Sequence, residues 1–144
     1  MMNLTQRAVA ALLLLLAFTA QTAEAETIQL RIEGVRSADG KIEIDVYLPP
    51  RKHVLERVVT ARHGTVEVEL EVPAGAYAIM LFHDANANST LDRGGLLRMP
   101  TEGYAFSNDA PVRFGPPSFE AMRIDVARGA RVTTTVQMKY PGGN

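Results

Sequence analysis

The sequence predicts an all-β fold, namely an antiparallel β-sandwich of about seven short strands with one long loop after a central strand. Apolar and polar residues alternate along most of the chain after residue 26, as in strands that bury one face. Turn residues separate these segments at intervals of roughly 8–12 residues, a spacing typical of sandwiches. One segment near the middle is apolar throughout, and a long polar stretch follows it.

The first two strands are predicted over TIQLRIEGV (27–35) and KIEIDVYL (41–48). In both segments isoleucine, leucine and valine alternate with charged or polar residues. The Asp39-Gly40 pair between them is the strongest short-range hairpin signal. We therefore expect the two segments to form an antiparallel ribbon with one face on a core and the other in water.

The next two segments differ in how clearly their sequences indicate a strand. Pro49-Pro50 ends the second strand, because proline cannot donate to the β-ladder. Residues 51–64 fit either one face of a helix or a short edge strand, and the β-branched run RVVTA favours the edge strand. TVEVELEV (65–72) alternates without a break, so its valines and leucine should face the core and its glutamates water.

AYAIMLFHD (76–84) is apolar on both parities, which indicates a central strand covered on both faces. Residues 84–118 carry few strand signals, and a loop of that length in a compact domain is usually functional. Alternation returns in MRIDV (122–126) and ARVTTTVQM (130–138), with a turn at Arg128-Gly129.

Residues 1–25 are predicted to be a signal peptide rather than part of the fold. Arg7 precedes an uncharged apolar run from Ala8 to Ala20, and Ala23-Glu24-Ala25 has the small-x-small pattern of a cleavage site. As a helix this run would span about 20 Å, short of the roughly 30 Å hydrocarbon core of a bilayer. We expect export to the periplasm or the medium, one domain over residues 26–144, and no membrane span in the mature chain.

The composition excludes several classes of function. The formal net charge is −1 at pH 7, and no basic block is present that would attract nucleic acid or an anionic membrane surface. The chain has no cysteine, so neither disulfides nor thiolate chemistry is available in the exported protein. Burial, or in part a bound ion, must therefore stabilise the fold.

The segment HDANANSTLD spaces its oxygen-bearing residues as a calcium loop does. The first, third, fifth, seventh and ninth positions of such a loop would be Asp84, Asn86, Asn88, Thr90 and Asp92. Thr90 would coordinate through its carbonyl and the others through their side chains. Calcium takes about 6–8 oxygens, and a curled backbone turns every second side chain toward the ion.

Two positions depart from this pattern. Ser89 occupies the sixth position, where glycine favours a left-handed turn, and Gly95 occupies the twelfth, where a bidentate carboxylate belongs. Glu102 is the nearest acid that could fold back to complete the site, and Asp109 is the second. The alternative is an ordinary Asx-rich turn, because Asn and Asp side chains readily bond their own backbone. Weak calcium binding and a plain turn both remain open.

Three segments in fixed order then point to a family. They are FHDANANSTLD (82–92), PTEGYAFSNDA (100–110) and FGPPSFEAMRIDV (114–126). Together they resemble the exported bacterial domain-of-unknown-function family 2141, and the resemblance implies no known activity. This chain has Ser89 and Ala105 where the family looks to prefer glycine. The PAGAY turn is similar by analogy to transthyretin-like and carboxypeptidase-regulatory-like sandwiches, which are immunoglobulin-like or prealbumin-like accessory modules.

The resemblance marks residues in all three segments. Carried over by position, they are His83, Asp84, Asn86, Asn88, Asp92, Glu102, Tyr104, Phe106, Ser107, Asn108, Gly115, Pro116, Pro117, Phe119 and Glu120.

An alternative function is the binding of an envelope carbohydrate or peptide. The residues for it would be His83, Tyr104, Phe106 and Asn108. The aromatic residues of the long loop, which also include Phe114 and Phe119, could form a ligand face or could pin the loop onto the sandwich. Phenylalanine seldom stays exposed, which favours pinning.

A weaker alternative is a carboxylate-based hydrolase that uses Glu102 with Glu120, since glycosidases work with paired carboxylates. Ser107 and Ser118 lack the G-x-S-x-G context of a serine nucleophile. His83 lacks the further ligands that zinc needs, and a hydrogen bond at a strand end is its simpler role. We therefore expect a non-enzymatic module with no certain cofactor, for which calcium is the one candidate.

Overall fold

The computed structural model describes residues 25–142. The predicted signal segment lies outside the described residues, apart from Ala25. Within residues 25–142 the chain forms ten strands, one short α-helix and one 3-10 turn. The strands are β1 (Glu26–Val35), β2 (Lys41–Leu48), β3 (Lys52–Thr60), β4 (Gly64–Val72), β5 (Gly75–Asp84), β6 (Arg93–Gly94), β7 (Met99–Pro100), β8 (Gly103–Phe106), β9 (Ile124–Val126) and β10 (Arg131–Gln137). The 3-10 turn is Ser107–Asp109, and the helix α1 is Phe119–Met122.

The strands form two main sheets that share a core. The first sheet has the order β10-β1-β4, and the second has the order β3-β2-β5-β8, with β9 also paired to β5. The predicted all-β sandwich is confirmed. Its one departure from the antiparallel expectation among the described strands is the parallel pairing of β1 with β10. No helix within these residues is long and apolar enough to cross a membrane.

The apolar residues of the alternating segments form the core, as predicted. In β4, Val66, Val68, Leu70 and Val72 are buried while the glutamates between them face solvent. From the second sheet, Ile42, Ile44 and Val46 of β2 and Ile79 and Leu81 of β5 join the same cluster. Burial of one such aliphatic side chain contributes about 1.5–3 kcal/mol, so the alternating residues supply the main driving force for the sandwich.

The Asp39-Gly40 turn does not form the predicted hairpin. β1 pairs with β4 and β10 in the first sheet, whereas β2 pairs with β3 and β5 in the second. The pair lies in a bend, and Gly40 has the positive φ of +64° that favours glycine. A turn signal specifies where the chain bends but not the sheet to which the next strand belongs.

The ambiguous segment after Pro49-Pro50 is the strand β3, which lies at one edge of the second sheet as predicted. The long connection holds more structure than expected. It contains the two-residue strands β6 and β7, which pair with each other, and β8, which pairs with the central strand β5. β8 is only four residues long and lies among turn residues, so its alternation gave no signal above that of a loop.

β5 is covered on its inner face and in part on its outer face, whereas its apolar sequence predicted cover on both. Its inner face contacts the main core. Part of its outer face packs against the segment that follows β8, through a second cluster made of Ala78, Phe106, Ala110, Phe119 and Met122. The short helix α1 belongs to this cover, and the side chain of Ser118 caps it by accepting the N–H of Ala121 at 3.3 Å.

Candidate functional site

The Asp/Asn loop, residues 84–92, begins where β5 ends. Ala87 and Ser89 in this loop have positive φ values of 58° and 60°, so the sixth position of the predicted calcium loop adopts the left-handed conformation without a glycine. That conformation costs a non-glycine residue roughly 1–2 kcal/mol, which the surrounding hydrogen bonds must offset. The loop is therefore shaped by its side chains.

Asp84 organises the first half of the loop from a fully buried position. Its Oδ1 accepts the backbone N–H of Asn88 at 3.0 Å, and its Oδ2 accepts that of Ser89 at 2.7 Å. The ammonium group of Lys41 lies 3.7 Å from Oδ2 and 2.9 Å from Glu43. A buried carboxylate needs such donors, and the contact with Lys41 fixes the loop to β2.

Asp92 organises the second half of the loop. Its carboxylate accepts the side-chain amide N–H groups of Asn86 at 2.7 Å and of Asn88 at 3.1 Å. The amide oxygens of these asparagines accept backbone N–H groups instead, from Asn88 at 3.1 Å and from Thr90 at 2.9 Å. These are the local side-chain-to-backbone bonds of an Asx-rich turn.

Glu102 folds back onto the loop from the far side of the β6–β7 hairpin. One of its carboxylate oxygens accepts the N–H of Ala85 at 3.2 Å, and the other accepts the N–H of Asp92 at 3.1 Å. Asp109, the second candidate, lies elsewhere and accepts the N–H of Gln137 at 2.8 Å. Glu102 thus ties the start of the loop to its end.

This arrangement does not present a calcium cage. Both oxygens of Asp84, of Asp92 and of Glu102 accept N–H donors, and the asparagine amides turn nitrogen rather than oxygen toward Asp92. Across residues 25–142 no group of three or more His, Cys, Asp or Glu side chains is arranged to hold a metal ion. Calcium would have to displace these bonds and reorient both amides. Calcium binding stays a prediction.

His83 precedes the loop and is buried on the core side of β5. Its Nδ1 lies 2.8 Å from the hydroxyl of Tyr140, and its Nε2 lies 2.8 Å from the carbonyl oxygen of Asp39. The carbonyl can only accept, so Nε2 carries a proton and donates to it. Burial raises the pKa of the Tyr140 hydroxyl. His83 closes hydrogen bonds at a strand end.

A groove lies on the outer face of the second sheet, and we call it the outer groove. Strand register places Asp45, Met80 and Phe106 side by side across β2, β5 and β8, and it places Phe82 beside Tyr104 in the next row. These side chains point away from the core and form the floor. Tyr104 and Phe106 also stack edge to face, with ring centroids 5.9 Å apart.

Two segments form the walls of the outer groove. One is the β6–β7 hairpin with Leu91, and the other is the segment 112–116. The volume of the groove is about 540 Å³, within the range of roughly 300–1,000 Å³ typical of small-molecule sites. Leu97 on the hairpin is 81% exposed and Phe114 on the opposite wall is fully exposed, so apolar side chains border an open site.

The predicted ligand-binding residues separate in the structure. Tyr104 and Phe106 line the outer groove, whereas His83 and Asn108 do not. Asn108 instead donates its amide to the carbonyl of Arg123 at 2.7 Å. The pinning hypothesis holds for Phe106 and Phe119, which are buried in the second cluster, and it is wrong for Phe114.

The predicted carboxylate pair makes two unrelated sets of contacts. Glu102 serves the Asp/Asn loop, and Glu120 on α1 lies 3.4 Å from Arg123 with a side chain that is 74% exposed. The groove residues missed by the sequence reasoning are Met80, Phe82, Arg93, Arg98 and Arg113. Met80 and Phe82 lie on the outer parity of β5, so the apolar character of both parities was their signal.

The fold and the groove define an all-β, two-sheet protein with an apolar surface site next to a hydrogen-bonded Asp/Asn loop. A family model described as "Uncharacterized protein conserved in bacteria (DUF2141)" matches residues 30–134. The chain therefore belongs to this bacterial family, as its three motifs predicted. Searches among curated proteins and among solved structures each found no match.

Proposed function

We propose that the protein is an exported, non-catalytic β-sandwich module that binds an apolar ligand in the outer groove. The observation that carries this proposal is the floor of the groove, where Met80, Phe82, Tyr104 and Phe106 face outward from one sheet. An outward-facing apolar row next to open walls is the usual character of a ligand site rather than of a solvated surface.

The chemistry of the floor favours an apolar ligand over a carbohydrate. Sugar sites fix hydroxyl groups with several directed polar side chains, and the floor residues offer mainly thioether and aromatic surface. A side chain or chain of methylene groups would gain about 0.8 kcal/mol per buried CH₂ there. Of the two ligand classes predicted as alternatives, a peptide is compatible with this floor, and a carbohydrate fits it less well.

A structural role for the Asp/Asn loop supports the same proposal. The loop leads directly into the β6–β7 hairpin, and the carbonyl of Asp92 accepts the N–H of Thr101 at 2.8 Å at the base of that hairpin. Glu102, which follows this base, holds Asp92 from the other side. The loop thereby positions one wall of the outer groove by hydrogen bonds, with or without an ion.

Export and the absence of catalysis rest on the sequence and on the contacts of the acidic residues. The signal-peptide pattern of residues 1–25 supports export. Both oxygens of Glu102 are engaged by backbone N–H groups, which leaves this carboxylate poorly placed to act as a general acid or base.

Two adjacent leucines allow a matched test of the groove. Leu97 lines the outer groove and is 81% exposed, whereas Leu96 lies outside it and is 99% exposed, so neither is needed for the core. The probe is N-phenyl-1-naphthylamine, an uncharged dye whose fluorescence rises in apolar sites. We expect the protein to bind the dye, Leu97→Asp to weaken binding about tenfold, and Leu96→Asp to leave it within about twofold. Equal effects of both variants, or no dye binding at all, would reject the proposal.

A further inference from the structure

Three arginines border the outer groove. Arg93 and Arg98 belong to the β6–β7 hairpin, and Arg113 belongs to the opposite wall, so cationic groups stand on both sides of the apolar floor. All three are exposed. No ion pair joins any of them to a carboxylate within residues 25–142.

The groove holds little negative charge to balance them. Of the residues that line it, Asp45 is the single acid, and its Oδ1 lies 2.8 Å from Nε2 of His53 on β3. Some arginines elsewhere on the surface are paired, as Arg31 is with Glu67 and Arg123 is with Asp125. The outer groove therefore combines three arginines and one acid with an apolar floor.

We propose that the ligand of the outer groove is a free single-chain amphiphile with an anionic head group. Its apolar chain would lie on Met80, Phe82 and Phe106, and its carboxylate would meet the guanidinium groups at the rim. Guanidinium presents a planar fork of donors that matches a carboxylate bidentately, which favours an anion over a neutral polar head. The inference rests on the proposed function and names the ligand class for the same groove.

The size and shape of the groove favour a small free ligand over a bilayer. A space of about 540 Å³ between two walls fits one chain with its head group. Leu96 and Phe114 are fully exposed whereas Met80 and Phe82 are partly buried, so a flat membrane surface would contact the first two before the floor. Binding to vesicles is therefore a distinguishable outcome.

The test compares three probes with the same ten-carbon chain by titration calorimetry below their micelle concentrations: decanoate, decanol and decyltrimethylammonium. An apolar site without cations should rank decanol first, because an ionised head group resists loss of water. We expect decanoate to bind about threefold or more tighter than decanol, with the cationic probe weakest. Raising the salt concentration should reduce the advantage of decanoate.

Variants of the arginines test whether they cause the preference for decanoate. The double variant Arg98→Gln/Arg113→Gln should weaken decanoate binding about tenfold and leave decanol binding unchanged. Arg128→Gln is the matched control, because Arg128 is exposed and does not line the groove. All these side chains are on the surface, so equal melting temperatures should accompany the changes in binding.

The outcomes separate this inference from the proposed function. If the neutral dye binds but decanol binds as tightly as decanoate, or the double variant binds decanoate as well as the wild type, the anionic ligand is rejected while the groove stands. Sedimentation with phosphatidylglycerol vesicles in the absence of decanoate binding also rejects it, in favour of a membrane surface. If none of the probes binds, both proposals fail.

Discussion

The carboxylate of Glu102 accepts the backbone N–H of Asp92 at 3.1 Å, across the full length of the β6–β7 hairpin. Its other oxygen accepts the N–H of Ala85 at 3.2 Å, so one side chain joins both ends of the Asp/Asn loop. The sequence predicted Glu102 as the residue nearest to completing an ion site. In the structure its carboxylate accepts two backbone N–H groups of the loop.

Removal of this carboxylate should destabilise the protein. Glu102→Ala should lower the free energy of unfolding by about 1.5–3 kcal/mol, because hydrogen bonds to a charged acceptor are lost at two N–H groups. Urea denaturation measures the change as a shift of midpoint at constant slope. Glu120→Ala is the control, since Glu120 is largely exposed, and it should cost less than about 0.5 kcal/mol. Equal costs would show that the Glu102 contacts contribute nothing specific.

Calcium should change the stability little. The oxygens of Asp84, Asp92 and Glu102 already accept N–H donors, so the ion gains access only by breaking those bonds. We expect the melting temperatures in excess calcium and in excess chelator to agree within about 1 °C, because an ion that binds the native state raises the midpoint by mass action. A rise of several degrees that Asp84→Ala abolishes would establish the calcium site.

Gly40→Ala should be severely destabilising, because an added Cβ would lie 1.9 Å from the carbonyl oxygen of Asp84. The control is Gly129→Ala, since Gly129 has a similar φ of +69° with nothing within 4 Å. Left-handed strain alone should cost about 1–2 kcal/mol at Gly129, and the clash should add about 1–3 kcal/mol at Gly40. Thermal or urea denaturation of the two variants gives the difference, and the absence of one would contradict the close approach of Gly40 to Asp84.

Ser107→Ala should loosen the segment that covers the outer face of β5. The Ser107 hydroxyl is fully buried, donates to the carbonyl of Met122 and accepts the N–H of Ile79 at 3.0 Å. Its loss leaves two buried backbone groups unpaired, at a cost of about 2–4 kcal/mol. Hydrogen exchange should show faster exchange at the Ile79 amide. Ser118→Ala, which removes only the cap of α1, should cost about 1 kcal/mol and leave Ile79 protected.

The surface pair on the first sheet should contribute to stability only above acidic pH. Hydrogen bonds from Arg131 and then from Gln29 lower the pKa of Glu69 below its usual 4.5. Because the folded-state pKa is the lower one, the contribution is present above the unfolded value and is lost as the pH falls through the folded value. The melting temperature of Glu69→Gln should lie below that of the wild type at about pH 7 and approach it near about pH 2. A difference that persists unchanged in acid would contradict this origin.

Local pattern was enough to predict the long alternating strands, because alternation directly reports which side chains meet the core. The Val66 to Val72 row and the buried inner face of β5 followed from it. Sheet membership was not predictable in this way. The Asp39-Gly40 turn looks like a hairpin in sequence, yet β1 finds its partners more than thirty residues away, in Leu70 of β4 and Thr134 of β10.

The candidate site was predicted only in part for a similar reason. The Asn and Asp spacing identified a shaped loop, but spacing does not determine whether an amide presents its oxygen or its nitrogen to a neighbour. The outer groove depends on β8, whose four residues gave no signal, and on arginines from two separate segments. In the sequence Tyr104 and Phe106 are aromatic residues of a predicted loop, whereas the strand register makes them part of the floor of the outer groove.

The parallel pairing of β1 with β10 has a consequence for how the chain acquires its structure. Thr133 of β10 reaches Gln29 of β1 at a separation of 104 residues, so the first sheet cannot acquire its third strand until nearly all of the polypeptide has been released. Ordering of such distant partners is slow compared with local turns and helices. Until β10 pairs, one side of β1 keeps unsatisfied backbone groups that are open to other strands.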